Sequence, residues 1–335
     1  MTPFHSLDVQ QRADALKEAA EQLGIRAFFL EKDYWVCLVL GLLFSHGELA
    51  PHLCFRGGTS LSKVYGVIGR FSEDIDIELS PSFFADLSPE QLPLPGDSHS
   101  QVETKHRKLR PRYRALMQQT LLPYLQAEFA RLGISGVRFE LPGLDKARDP
   151  YVLMIHYPSI VSEGIVGYVT SAVKLELSGR ADARPAAPGS VSPYIGSVFP
   201  VFNTPLQLNA VLPSRTLWEK AFIIHENNTR AARDPEFAIP GRLARHYYDL
   251  DSLIRHGCYD ASLFPEVCRQ RDVNYHYGWT DYDRLTPAAM NIAPPDNRMS
   301  EWKEDYAKMQ PMLRHEPEPF ETLLDRILRF WQANA

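Results

Sequence analysis

Residues 74–79, Asp-Ile-Asp-Ile-Glu-Leu, alternate without a break between carboxylate and aliphatic side chains. Successive side chains of a strand point to opposite faces, so this segment predicts a strand with Ile75, Ile77 and Leu79 against a core and Asp74, Asp76 and Glu78 on the other side. Upstream, the short apolar run His52-Leu-Cys-Phe55 meets Arg56-Gly57-Gly58-Thr59-Ser60, after which Leu61, Val64, Tyr65 and Ile68 recur at helical spacing. The whole unit therefore reads as strand, glycine turn, helix, and a strand with a carboxylate face.

Two carboxylates brought within roughly 4 Å repel by about 4 kcal/mol at an effective dielectric of 20, so the pair calls for a cation or a proton. Mg²⁺ meets that demand, because it takes a few carboxylates and completes its shell with water and phosphate oxygens. The glycine turn exposes backbone N–H groups that a phosphate can approach closely. Either half alone is ordinary: Gly-Gly-Thr-Ser occurs as a turn with a helix cap, and Asp-x-Asp as a solvated strand face. Joined in one unit, they point to a site for a nucleoside triphosphate and Mg²⁺. Asp74 and Asp76 are then the metal ligands, orienting the triphosphate and helping to activate an attacking hydroxyl. Gly57, Gly58, Thr59, Ser60 and Lys63 are expected to hold phosphate, with Arg70 and Ser72 flanking the carboxylates, and Lys174 to meet the triphosphate as a point charge. Glu78 lies past this motif and reads as a surface residue.

The stretch Phe55-Arg-Gly-Gly-Thr-Ser-Leu-Ser-Lys-Val-Tyr-Gly, with Gly69-Arg-Phe-Ser-Glu-Asp-Ile-Asp-Ile after it, resembles motif I of the AbiEii/AbiGii toxin family of nucleotidyltransferases, within the DNA polymerase β-like superfamily. Val173-Lys174-Leu-Glu176-Leu resembles motif II, Arg215-Thr-Leu-Trp-Glu219-Lys220 motif III and Arg245-His-Tyr-Tyr-Asp249-Leu motif IV; Glu301-Trp-Lys-Glu-Asp305-Tyr-Ala-Lys-Met resembles a later segment. The resemblance implies an α+β fold: a polymerase β-like core, with a small mixed sheet and flanking helices, plus a C-terminal helical domain. It implies Glu176 as a third metal ligand and catalytic acid, Lys220 as a nucleotide-binding cation and Asp249 as a catalytic residue. It further implies transfer of a nucleoside monophosphate from an NTP to a tRNA 3′ end, by a toxin with a cognate antitoxin, commonly a separate DNA-binding repressor. The sequence departs from the family pattern at Glu176, where aspartate is usual, and at the proline-rich insertion 81–104. Two rival readings stand beside this one: nucleotidylation of a protein side chain, and a non-catalytic NTP- or RNA-binding module.

Elsewhere, helical periodicity covers 8–46 with a break at Gly24, and 101–132 with an interruption at Pro111; strands are expected at 151–157 and 165–177. Helices follow at 214–228, 241–256, 262–270 and 299–333, the last broken around 311–319. This places a boundary near 212, giving a nucleotidyltransferase core domain with N-terminal helices at 1–212 and a helical domain at 213–335. Proline is abundant, 26 residues, and recurs in 185–193, 287–295 and 311–319, which read as rigid loops.

Apolar residues make up 44% and charged residues 23%, enough for a core and for solubility. The longest apolar run, Tyr34 to Phe44, is too short to cross a bilayer, and the first residues lack a signal-peptide pattern. A cytoplasmic protein without a membrane partner is expected. Cys37, Cys54, Cys258 and Cys268 are too widely spaced for a metal knuckle and read as reduced thiols. The net charge of −5 carries no signature of a polyanion partner, yet residues 101–114 hold six Lys or Arg against Glu103 alone. That run is the candidate RNA-tracking surface, with a solvated helix face as the alternative. The aromatic segment 274–282 reads as core, with base stacking as the alternative.

Overall fold

The computed structural model describes residues 3–84, 86–94, 96–161, 170–180 and 183–334. Seven strands, β1 (Leu53–Arg56), β2 (Asp74–Leu79), β3 (Arg138–Glu140), β4 (Tyr151–His156), β5 (Ala172–Ser178), β6 (Ala186–Val191) and β7 (Leu206–Val211), form one mixed sheet in the order β3-β4-β5-β2-β1-β7-β6. β2 runs parallel to β5 and antiparallel to β1, and β1 runs parallel to β7. The alternation in 74–79 is realised: Ile75, Ile77 and Leu79 are buried in the main core. Of the strand expected at 165–177, residues 165–169 lie outside the described residues, and β5 carries the rest.

β6 corrects the reading of 185–193 as a loop. It contains Pro188, which a central strand would reject because it lacks an N–H, but β6 is the edge strand and pairs only with β7. Proline is thus compatible with a strand here because tertiary position, not local propensity, decides which N–H groups need partners.

Among the described residues, eleven α-helices surround the sheet: α1 (Val9–Leu23), α2 (Ala27–Ser45), α3 (Gly57–Lys63), α4 (His99–Ala115), α5 (Leu122–Arg131), α6 (Ile195–Val198), α7 (Pro213–Arg233), α8 (Ala244–Arg255), α9 (Phe264–Tyr275), α10 (Met299–Met309) and α11 (Phe320–Asn334). Asp8 caps α1 by accepting from the Gln11 N–H at 2.8 Å, and Gly24 ends it at φ +64, the left-handed conformation in which a Cβ is unfavourable. α4 continues through Pro111 and passes into α5 by a π-helical stretch, Leu116–Leu121, instead of breaking. α2 is buried nearly all round, Glu31, Lys32 and Asp33 included.

The buried apolar side chains form two large clusters. One runs from Phe4 to Ala210 and takes in the aliphatic face of β2 and β5; the other joins Leu61 and Ile68 to residues between Leu217 and Trp331 on α7, α8, α9, α10 and α11. No helix among the described residues is long and apolar enough to cross a membrane. The four cysteines are free thiols.

Candidate active site

The parallel pairing of β2 with β5 aligns Asp74 with Lys174 and Asp76 with Glu176. Four chemistry-bearing side chains from distant sequence therefore share one face at one end of the sheet. β1 delivers the glycine turn to the same place through its own pairing, Arg56 opposite Asp76. Gly57 has φ +77, and a Cβ there would stand 2.0 Å from Asp76 Oδ2, so only glycine lets the turn lie against that carboxylate. A Cβ at Gly58 would meet Arg70 Nη2 at 2.7 Å and Ser72 Oγ at 2.8 Å. The result is a polar cleft of about 310 Å³, lined among others by Gly57, Gly58, Arg70, Ser72, Asp74, Asp76, Lys174 and Glu176, and closed from α7 and α8 by Lys220 and Arg245.

Electrostatics distinguish this cleft from an ordinary polar groove. Burial, together with the Glu176 and Asp74 carboxylates, pushes the Asp76 carboxyl up to about 7. Burial and Glu73 raise Asp74 as well. Lys174 pairs with Glu176, which outweighs burial and raises the ammonium pKa, keeping it charged. Carboxylates held above their ordinary range are short of positive charge, and their oxygen donors suit a hard divalent cation that draws its remaining ligands from phosphate and water. Among the described residues, no three His, Cys, Asp or Glu side chains form a closed metal cage. Glu176, the counter-ion of Lys174, shares that face with Asp74 and Asp76.

Behind the cleft, Asp249 is fully buried and accepts from Arg70 Nε at 2.7 Å and Nη2 at 2.7 Å, while Lys220 Nζ approaches it at 2.6 Å. Burial would raise its carboxyl, but the two cations hold it well below the usual carboxylate range. Asp249 thus faces protein cations instead of open cleft; it fixes Arg70 and Lys220 in the wall. Arg56 bridges Glu78 and Glu219, both at 2.9 Å.

Several expectations require correction. The Thr59 and Ser60 side chains turn inward: the Thr59 hydroxyl donates to Asp74 O at 2.5 Å and accepts from the Ser72 hydroxyl at 3.1 Å, and the Ser60 hydroxyl donates to Gly57 O at 3.1 Å. They brace the turn from within. Lys63 points away, paired with Asp33 at 2.6 Å and lying over the Tyr194 ring, because a helical turn carries it to the opposite side of α3. The side chains of all three are engaged within the protein. Glu78, read as a surface residue, is buried by its Arg56 pair.

The basic run on α4 is partly paired, two of its six cations with acids outside it. Lys105 pairs with Asp97 and Arg112 with Asp86, while Arg110 and Arg180 share Glu103, and Arg114 donates to Ala147 O. Arg107 and Lys108 of the run are exposed. The aromatic segment forms no deep core either. Tyr275, Tyr277 and Trp279 stack in a column, with centroids 5.8 and 4.7 Å apart, capped by Arg271 at one end and Arg230 at the other. The cleft residues missed in sequence include Arg56, Asp149, Ser178, Glu219, His246 and Tyr275. Arg56, Glu219 and His246 lie within the motif stretches and Tyr275 in the aromatic segment, whereas Asp149 and Ser178 carried no signal.

Residues 39–326 match the sequence profile of the nucleotidyl transferase AbiEii toxins, described as a type IV TA system. The chain belongs to that family. It is accordingly a nucleotidyltransferase, of the toxin type that the family comprises. No curated protein matches it in sequence. Among solved structures it is similar to MenT4, a nucleotidyltransferase toxin from Mycobacterium tuberculosis H37Rv, with 17% identity and a TM-score of 0.43 over 95% of this chain and 97% of that one.

Proposed function

We propose that this AbiEii-family enzyme transfers a nucleoside monophosphate from an NTP to the 3′-terminal hydroxyl of a tRNA, with Mg²⁺ as its metal, and so arrests growth unless a cognate antitoxin counters it. The observation that supports this reading best is the strand register that puts Asp74 beside Lys174 and Asp76 beside Glu176, in one cleft with the glycine turn. In this reading Gly57 and Gly58 offer backbone to the triphosphate, Ser72 borders it, and Lys174, Lys220 and Arg70 balance its charge. The acceptor oxygen attacks the α-phosphorus, the bond to the β-phosphate oxygen breaks, and pyrophosphate leaves with the electron pair. The hydroxyl proton passes to a carboxylate of the cleft. A divalent cation bound at Asp74 and Asp76 would supply charge neutralisation and polarise the phosphate oxygens.

We read the two apolar clusters as a catalytic core up to residue 212 and a helical domain beyond it, in a protein that works in the cytoplasm. The test is to incubate the protein with each labelled NTP, Mg²⁺, total tRNA and a cell extract, alongside Asp74→Ala and Asp76→Ala. Label on tRNA that disappears in both variants is the expected result. Label on protein instead overturns the acceptor assignment, and no transfer from any NTP overturns the proposal as a whole.

A further inference from the structure

The acid immediately before Asp74 has no part in the chemistry above, yet it is buried and held by two cations. Glu73 is 6% exposed. From α2, Lys32, itself 2% exposed, pairs with Glu73 Oε2 and also donates to Thr170 O at 2.7 Å. Thr170 leads into β5, so one ammonium ties the start of β2 to the approach of β5. Those two strands align Asp74 and Asp76 with Lys174 and Glu176. From the other side, Arg242 donates to Glu73 Oε1 at 3.1 Å.

Arg242 precedes α8 with φ +68, a conformation that non-glycine residues rarely adopt. Asp305 on α10 holds it there, accepting from the Arg242 N–H at 2.6 Å and the Ala244 N–H at 2.7 Å. Left-handed backbone at a bulky residue persists only where its surroundings over-determine it. The neighbours of Lys32 serve the same end: Glu31 accepts from the Ser159 hydroxyl and the Ile160 N–H, and Asp33 from Lys63 and the Tyr194 N–H. Apolar residues could fill this space without desolvating charge, so packing alone does not call for ion pairs here.

We infer that Glu73, clamped by Lys32 from the sheet side and by Arg242 from the C-terminal helices, is a positioning residue that sets Asp74 against β5. The inference rests on the nucleotidyl-transfer reading of the cleft. It is tested with Arg242→Gly, Arg242→Lys and Lys32→Met in the full chain, by thermal melting, by Mn²⁺ binding to the nucleotide-free protein followed by electron paramagnetic resonance, and by steady-state transfer. Arg242→Gly removes the guanidinium and relaxes the backbone, so it melts no lower than wild type. Its kcat nevertheless falls about fivefold to tenfold with the NTP KM within about twofold, and Mn²⁺ binds several-fold more weakly. Arg242→Lys restores part of both, and Lys32→Met shows the same losses with a lower melting temperature.

If Lys32→Met does not fold, Arg242→Gly decides. Wild-type kcat and Mn²⁺ affinity in Arg242→Gly overturn the inference. So does a rise in KM alone, or a kcat loss that tracks a loss of stability. Wild-type protein that transfers nothing sinks the reading of the cleft, while the Mn²⁺ measurement still decides the role of Glu73.

Discussion

Replacing Gly57 with alanine tests the architecture of the cleft with one methyl group. The new Cβ would stand 2.0 Å from Asp76 Oδ2, 2.8 Å from its Cγ and 3.1 Å from its Cβ. Ordinary contact begins near 3.4 Å, so the carboxylate must retreat by about 1.4 Å. The backbone of Asp76 cannot follow, because it is paired to Arg56 on one side and Glu176 on the other. The side chain therefore swings away from Asp74. A displacement of about 1 Å in a catalytic group costs on the order of 10²-fold, so kcat is expected to fall by about 10² or more. Left-handed φ adds roughly 1–2 kcal/mol of strain for alanine, within the roughly 5–15 kcal/mol that hold an ordinary domain together, so the variant remains folded. Labelled-NTP transfer at saturating acceptor, paired with a thermal melt, reads both quantities. A folded Gly57→Ala enzyme with kcat within about threefold of wild type would refute the argument that the turn and Asp76 share this space.

Three more outcomes follow from the same geometry. The Asp76 carboxyl is raised to about 7 in the native state from an unfolded value near 4, so native protein holds the extra proton and stability declines as pH rises from about 4 to about 7. Asp76→Asn removes that decline; without divalent cations its melting temperature relative to wild type is higher at pH 8 than at pH 4.5, and an equal difference at both would refute the assignment. Asp249→Asn leaves Arg70 and Lys220 buried with a weakened partner, which is expected to cost about 3–5 kcal/mol in urea unfolding; a loss under about 1 kcal/mol would contradict the wall described here. Lys174 is 37% exposed, so Lys174→Met leaves the melting temperature nearly unchanged while kcat falls about 10²-fold; parallel losses of stability and rate would mark it as structural.

The carboxylate strand, the glycine turn, the break at Gly24 and the helical second half were legible because each rests on local spacing. What spacing does not carry is the identity of partners. Lys63 was assigned to phosphate by its place near the glycines, and Asp33, thirty residues earlier in the chain, takes it instead. Of the six basic residues of 101–114, Lys105 and Arg112 are paired by Asp97 and Asp86, which no local spacing announces. Asp249 looked like a catalytic acid; buried between Arg70 and Lys220, it holds the wall in place.

By itself, then, the sequence determined which residues could alternate, turn or wind, and it determined the family that those motifs mark. It also supplied the two carboxylates and the glycines that have to approach them. The tertiary structure decided that β5 lies parallel to β2, which alone puts Lys174 and Glu176 at the site, and that Pro188 falls on an edge strand where a missing N–H is harmless. The reason is physical: periodicity is a property of neighbours along the chain, whereas pairing, burial and charge compensation depend on which distant segments the core brings together.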